Sequence, residues 1–95
     1  MTDIEVACAA AGDDWACTVR VREDGSTTEH EVTVRQADAL AHGVQGVDDA
    51  ERLIHETFTF LLEREPKESI LSRFDVSVVS RYFPEFETAI AAYLA

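Results

Sequence analysis

The clearest helical pattern in the chain is DDAERLIHETFTFLL, residues 48–62. Its apolar side chains recur three and four residues apart, which is the spacing of one face of an α-helix. They are Ala50, Leu53, Ile54, Phe58, Leu61 and Leu62, with Thr57 in the intervening place. Asp48 and Glu51 stand three residues apart, as in a capping box, so a long helix is predicted over residues 48–65.

The apolar arc of this helix is too wide for a single neighbour. At about 100° per residue Phe60 lies beside Leu53, so the arc from Phe60 to Leu62 spans roughly 200°. Packing on one sheet needs a stripe of little more than about 100°. We therefore expect one side to pack on a sheet and the other on the C-terminal segment or on a second copy of the chain.

Apolar and polar residues alternate ahead of this helix, from Ile4 to Arg35, with turn sequences at 12–14 and 23–26. Alternation with period two predicts half-buried strands, and Asp-Gly favours a hairpin. Residues 1–35 are thus predicted to form a three-stranded antiparallel meander.

The alternation also predicts which residues face each other. The first hairpin places Glu5 opposite Arg20. A four-residue loop in the second hairpin places Arg22 opposite Glu29 and Arg20 opposite Glu31, whereas a two-residue loop of the same parity is the alternative. Arginines between carboxylates suggest structural charge pairs, with an anion clamp as the functional alternative.

The register of the first hairpin brings Cys8 opposite Cys17 on the buried face. We expect two packed thiols, with a cross-strand disulfide that acts as a redox switch as the alternative. Zinc needs about four ligands, and His30 is the only further candidate. No metal or cofactor is therefore predicted.

A short helix is predicted over residues 36–43, and a helical tail over residues 66–95. In the tail, the predicted helices run from Lys67 to Phe74, over a short segment within 75–83, and from Pro84 onward, because proline suits a first helical turn. A fourth strand at 74–79 is the alternative to the middle helix. The fold class expected is a single α+β domain, residues 1–95, in which the long amphipathic helix and the tail pack on one face of the meander.

Eight basic residues stand against nineteen acidic ones, a formal net charge of -11. Nucleic acids and anionic membranes bind clustered basic residues, so neither is expected as a partner. The N-terminus is acidic and is followed by no apolar signal segment, which predicts a cytoplasmic protein.

Residues 60–71, FLLEREPKESIL, with Phe74-Asp75 and RYFPEF at 81–86, resemble a group of small bacterial proteins of uncharacterised function. The resemblance brings no catalytic residue across. It implies that sheet, long helix and helical tail belong to one domain.

No phosphate loop, zinc-binding helix or nucleophile elbow occurs in the sequence, so no enzymatic activity and no catalytic residue are predicted. The leading hypothesis is a non-catalytic protein-interaction module that self-associates, with another protein as the alternative partner. The expected contact surface comprises Phe60, Leu62, Phe74, Tyr82, Phe83, Phe86 and Tyr93.

Two other functions stay open. One is a small-ligand binder or minor enzyme with a pocket between sheet and helices, for which the candidate polar groups are Cys17, His30, His55 and Tyr82. The other is an acidic, antitoxin-like or nucleic-acid-mimicking partner of a basic protein.

Overall fold

The computed structural model describes residues 2–94, and these form a four-stranded sheet with helices on one face. The α+β class is confirmed. The strands lie in the order β1-β2-β3-β4; the first three are antiparallel, and β4 runs parallel to β3. The elements are β1 Asp3–Ala11, β2 Asp14–Glu23, β3 Ser26–Val34, α1 Gln36–Ala41, α2 Val47–Leu62, a 3-10 turn Lys67–Ser69, β4 Arg73–Asp75, α3 Ser77–Tyr82 and α4 Phe86–Leu94.

Both hairpins close with two-residue loops. The predicted register of the first is confirmed, with Glu5 opposite Arg20. Of the two loop lengths left open for the second hairpin, the two-residue loop forms: Arg20 faces Glu29 instead of Glu31, and Arg22 faces a threonine. The reason is local. The loop residues Asp24 and Gly25 both adopt positive φ, 54° and 79°, which is the backbone of the tight turn that Asp-Gly prefers.

The tail differs from its prediction between residues 67 and 75. A single 3-10 turn replaces the helix expected from Lys67 to Phe74, and an extended segment follows. This segment covers the C-terminal part of the free edge of β3: the amide of Glu31 donates to Ser72 at 2.8 Å, and that of Val76 to Thr33 at 2.9 Å. Satisfying the edge of the sheet outweighs the helix propensity of a few residues. The short helix α3 then follows as expected, so the fourth strand and the helix are both present.

Helix α2 is buried on two sides, as its wide arc predicts. It ends at Leu62 instead of 65, and Glu51 bonds to β1 instead of capping its own helix. Phe60 is 0% exposed and packs edge-on against Phe83 and Phe86, with ring centroids 5.8 and 5.1 Å apart. The chain's own tail therefore covers the second side. Burying one such aromatic ring contributes about 1.5–3 kcal/mol.

Within residues 2–94 no helix is both long and apolar enough to cross a lipid bilayer.

Candidate interaction groove

An apolar groove lies where the C-terminal end of α2 meets β4 and α3. Its volume is about 290 Å³. Its apolar lining comprises Leu61, Ile70, Leu71, Phe74, Val78, Val79 and Phe83, and its polar members are Glu65, Ser69 and Tyr82. It exists because the extended segment 70–75 leaves α2 to join β3, and α3 then returns beside it.

Two large side chains of this groove remain in solvent. Tyr82 is 70% exposed and Leu71 is 51% exposed. Tyr82 is the last residue of α3, and the following Phe83 turns inward to Phe60. Exposed apolar side chains beside a concave apolar surface are typical of a contact site.

The structure separates the seven residues predicted for the contact surface. Phe74, Tyr82 and Phe83 line the groove. Phe60 and Phe86 lie in the core, so neither is part of a surface. The remaining two lie elsewhere: Leu62 lines a depression beside β1, and Tyr93 donates from its hydroxyl to Glu63 at 3.3 Å.

Sequence reasoning missed Leu71 and Val78 as groove residues. Leu71 lies within the helix expected from Lys67 to Phe74, which does not form. No local signal in the sequence places it there, because its position follows from the pairing of residues 73–75 with β3.

Arg64 closes the aromatic cluster at the end of α2. Its guanidinium carbon lies 3.5 Å from the ring centroid of Phe60, and its Nη1 donates to the Phe60 carbonyl at 3.0 Å. Its Nε donates to Glu85 at 3.3 Å. A hydrogen bond from the Glu85 backbone amide, together with that from Arg64, holds the pKa of Glu85 below its usual value.

The polar groups suggested for a ligand pocket do not converge. His30 is 2% exposed; its Nδ1 donates to the Leu71 carbonyl at 2.8 Å and its Nε2 accepts from Thr28 at 2.9 Å, the tautomer that satisfies both partners. His55 is on the other side of α2, beside the depression that Leu62 lines. Of the four candidates only Tyr82 lines the groove.

Cys8 and Cys17 are joined by a disulfide between directly opposite residues of β1 and β2. The expectation of two packed thiols is therefore wrong, although the predicted pairing is right. Period-two alternation determines which residues face each other but not their oxidation state.

The arginines of the open sheet face pair with carboxylates. Arg20 contacts Glu29 at 3.6 Å, and Arg22 contacts Glu5 at 3.3 Å on the diagonal. These pairs favour the structural interpretation over an anion clamp.

A polar cluster joins α1 to the start of α3. Asp75 accepts from the Ser77 amide at 3.0 Å and from Arg35 Nε at 2.6 Å. Partial burial raises the pKa of Asp75, but these hydrogen bonds and the Arg35 charge outweigh it and lower the pKa below the usual value. Burial and the nearby Asp75 charge raise the pKa of Asp38.

Among the described residues 2–94, no group of three or more His, Cys, Asp and Glu side chains is placed to hold a metal ion. Comparisons of the chain with protein-family models, with curated proteins and with solved structures give no match. The groove and its chemistry therefore carry the functional argument.

Proposed function

We propose that this protein is a non-catalytic interaction module that self-associates through the apolar groove. The observation that carries the proposal is that the exposed side chain of Tyr82 and the concave apolar groove lie on the same face of one chain. In a two-fold dimer each copy presents the same patch, so residue i of one copy contacts residue j of the other and the reverse. The groove and its exposed tyrosine form such a self-complementary patch, because Tyr82 of each copy can enter the groove of the other.

Self-association through the groove does not depend on the wide apolar arc of α2. The surplus apolar arc of α2 is covered by α4, as the complete burial of Phe60 shows. The remaining exposed apolar side chains include Leu71 and Tyr82 at the groove. Aromatic residues at the centre of a patch supply a large share of the energy of a contact, which makes Tyr82 the expected anchor.

Charge opposes this association at long range. Two copies, each with a formal net charge of -11, repel one another, and added salt screens that repulsion. Association through an apolar patch should therefore strengthen with salt, whereas association through ion pairs should weaken.

Sedimentation equilibrium over a wide concentration range, at low and high salt, tests the proposal. We expect a reversible dimer of the 10.5 kDa chain that is favoured by salt. Tyr82→Ser should weaken the dimer by at least about tenfold, the effect of losing one anchor residue. Leu40→Ser is the matched control, because Leu40 is 72% exposed but outside the groove. A single 10.5 kDa species throughout, or equal effects of the two variants, would contradict the proposal.

A small apolar ligand is the second candidate occupant of the groove. Its volume of about 290 Å³ lies near the lower limit of ligand sites, which begin at about 300 Å³. An apolar fluorescent probe tests this. Binding by the monomer that Tyr82→Ser leaves intact, with resonance shifts confined to groove residues, would favour the ligand over the second copy.

A cytoplasmic location is part of the proposal. Thiol reductants in that compartment act on protein disulfides. The Cys8–Cys17 bond makes the location testable. The fraction of chain with a reduced bond, measured in cell extracts quenched with a thiol-blocking reagent, shows whether the compartment that holds the protein is reducing.

A further inference from the structure

The outer edge of β1 is a second surface, distinct from the groove. β1 runs for nine residues at one end of the sheet, and no strand among residues 2–94 pairs with its outer edge. The strand at the other edge of the sheet, β4, has only three residues. An edge strand presents backbone N–H and C=O groups that can pair with another chain.

The structure shows which groups of β1 point outward. Cys8 and Cys17 are directly opposite with Cα atoms 4.0 Å apart, which is typical of a pair without hydrogen bonds between its two strands. The Cys8 amide instead donates outward, to the Glu51 carboxylate at 3.0 Å. Because the pattern alternates, the amides of Ile4, Val6 and Ala10 also face the outer edge.

A shallow depression of about 440 Å³ adjoins this edge, between the start of β1 and the second half of α2. Ile4 and Leu62 provide apolar lining, and Asp3 and Glu63 add acidic residues. The Oε1 atom of Glu63 already accepts from Tyr93 at 3.3 Å and lies 3.6 Å from Arg64 Nη1, which leaves Oε2 for a ligand. An apolar wall with an acidic border suits the aliphatic stem and cationic head of lysine or arginine.

We propose that the β1 edge binds an extended, basic segment of another protein, which adds to the sheet as a further strand and places a lysine or arginine in this depression. Backbone hydrogen bonds supply affinity in such strand addition, and side-chain pockets supply specificity. The net charge of -11 attracts a basic segment and repels a second copy.

Glu51 selects for such a partner. An incoming strand must take the Cys8 amide from the Glu51 carboxylate. An uncharged strand leaves the Glu51 carboxylate without a replacement for this hydrogen bond, whereas a lysine or arginine side chain can form an ion pair with it. Glu51 therefore discourages uncharged strands and favours cationic ones.

The test uses a fluorescein-labelled nine-residue peptide of alternating valine and lysine, added to the Tyr82→Ser variant so that groove association plays no part. We expect saturable binding in fluorescence anisotropy. Hydrogen exchange of the Ile4, Val6 and Ala10 amides should slow by at least about tenfold at saturation. A peptide of the same sequence with alternate amides N-methylated, which removes its edge donors, should give no such protection.

Two protein variants test the depression. Glu63→Gln should weaken peptide binding by about two- to fivefold, the effect of one exposed charge pair. Glu29→Gln, on the open face of β3, is the control for loss of general charge and should change affinity less. The proposal is overturned if the N-methylated peptide protects equally, if bound peptide leaves the three amides unprotected, or if concentrating the protein alone protects them, which would assign the edge to a second copy.

Discussion

Arg64 lies over the ring of Phe60, with its guanidinium carbon 3.5 Å from the ring centroid. The same side chain reaches Glu85, one residue before α4, at 3.3 Å. The end of α2 and the start of α4 are thus joined through one arginine above a buried aromatic cluster. This contact helps to explain how the C-terminal segment of the chain covers the wide apolar arc of α2.

Phe86→Ala should be among the most destabilising single substitutions in the chain. Phe86 is 1% exposed and packs edge-on against Phe60, so the change opens a cavity between α4 and α2. We expect a loss of about 3–5 kcal/mol in the free energy of unfolding, measured by urea denaturation. The exposed Leu40→Ala should change it by less than about 0.5 kcal/mol. Equal effects would mean that α4 is not part of the core.

Arg64→Lys should not preserve these contacts between α2 and α4, because an ammonium cannot lie flat on the Phe60 ring while it donates hydrogen bonds to two oxygens. We expect a loss of about 0.5–1 kcal/mol from the stacking contact. A double-mutant cycle with Phe60→Leu isolates this contact, since Arg64→Lys should cost less stability once the ring is gone. A cycle with no coupling energy would show that the stacking contributes nothing to stability.

The meander and α2 could be predicted from sequence because their periodicity is intrinsic to each segment. The register of the first hairpin followed from parity, and the double burial of α2 followed from the width of its arc. The segment 67–75 could not be predicted in this way. Its conformation is set by the unpaired edge of β3, a partner far away in the chain, and not by the propensities of its own residues.

The same distinction applies to the candidate site. Phe74, Tyr82 and Phe83 were identified because they are aromatic residues near one another in sequence. Leu71 joined them only through the packing of β4. The length of the second hairpin loop stayed open for a different reason: loops of two and four residues share the same parity, so only the positive φ angles of Asp24 and Gly25 decide between them.

His30→Phe should loosen the attachment of β4. The phenyl ring preserves packing against Phe58 but removes the hydrogen bonds to Leu71 and Thr28. An unpaired carbonyl beside the core costs about 1–3 kcal/mol, which urea denaturation should show. Exchange of the Glu31 amide, which donates to Ser72, should quicken more than that of amides within the first hairpin. Uniform acceleration throughout the sheet would contradict a local role for His30.

Replacing Cys8 and Cys17 together by alanine should lower the free energy of unfolding, because the unfolded chain gains conformational entropy when the disulfide is absent. The bond closes a loop with a sequence separation of nine, for which the chain-entropy relation gives about 2.6 kcal/mol. The measured loss should not exceed this figure by much, because the hairpin keeps its Gly12 turn and its register. Thermal unfolding of the oxidised protein, the reduced protein and the double variant provides the measurement, and the last two should behave alike. Equal stability of all three would contradict the expectation.

Asp75 and Asp38 should respond to pH in opposite directions. The pKa of Asp75 is lower in the folded chain than in the unfolded one, so its contribution to stability is present above about pH 4, the unfolded value, and is lost as the pH falls through the folded value. The pKa of Asp38 is raised, so its contribution is present at low pH and is lost as the pH rises through the folded value.

Asp75→Asn separates the two effects. The variant should lose stability near neutral pH, and the difference from the parent chain should disappear in acid, where the parent's Asp75 is itself protonated. Removing the Asp75 charge should also lower the pKa of Asp38, because that charge is one of the two largest causes of its rise. Carboxyl-carbon NMR titration measures this directly. Arg35→Gln is the matched opposite, since loss of its positive charge should raise the pKa of Asp38. If the Asp38 midpoint moves in the same direction in both variants, electrostatic coupling across this cluster is not the cause of its shift.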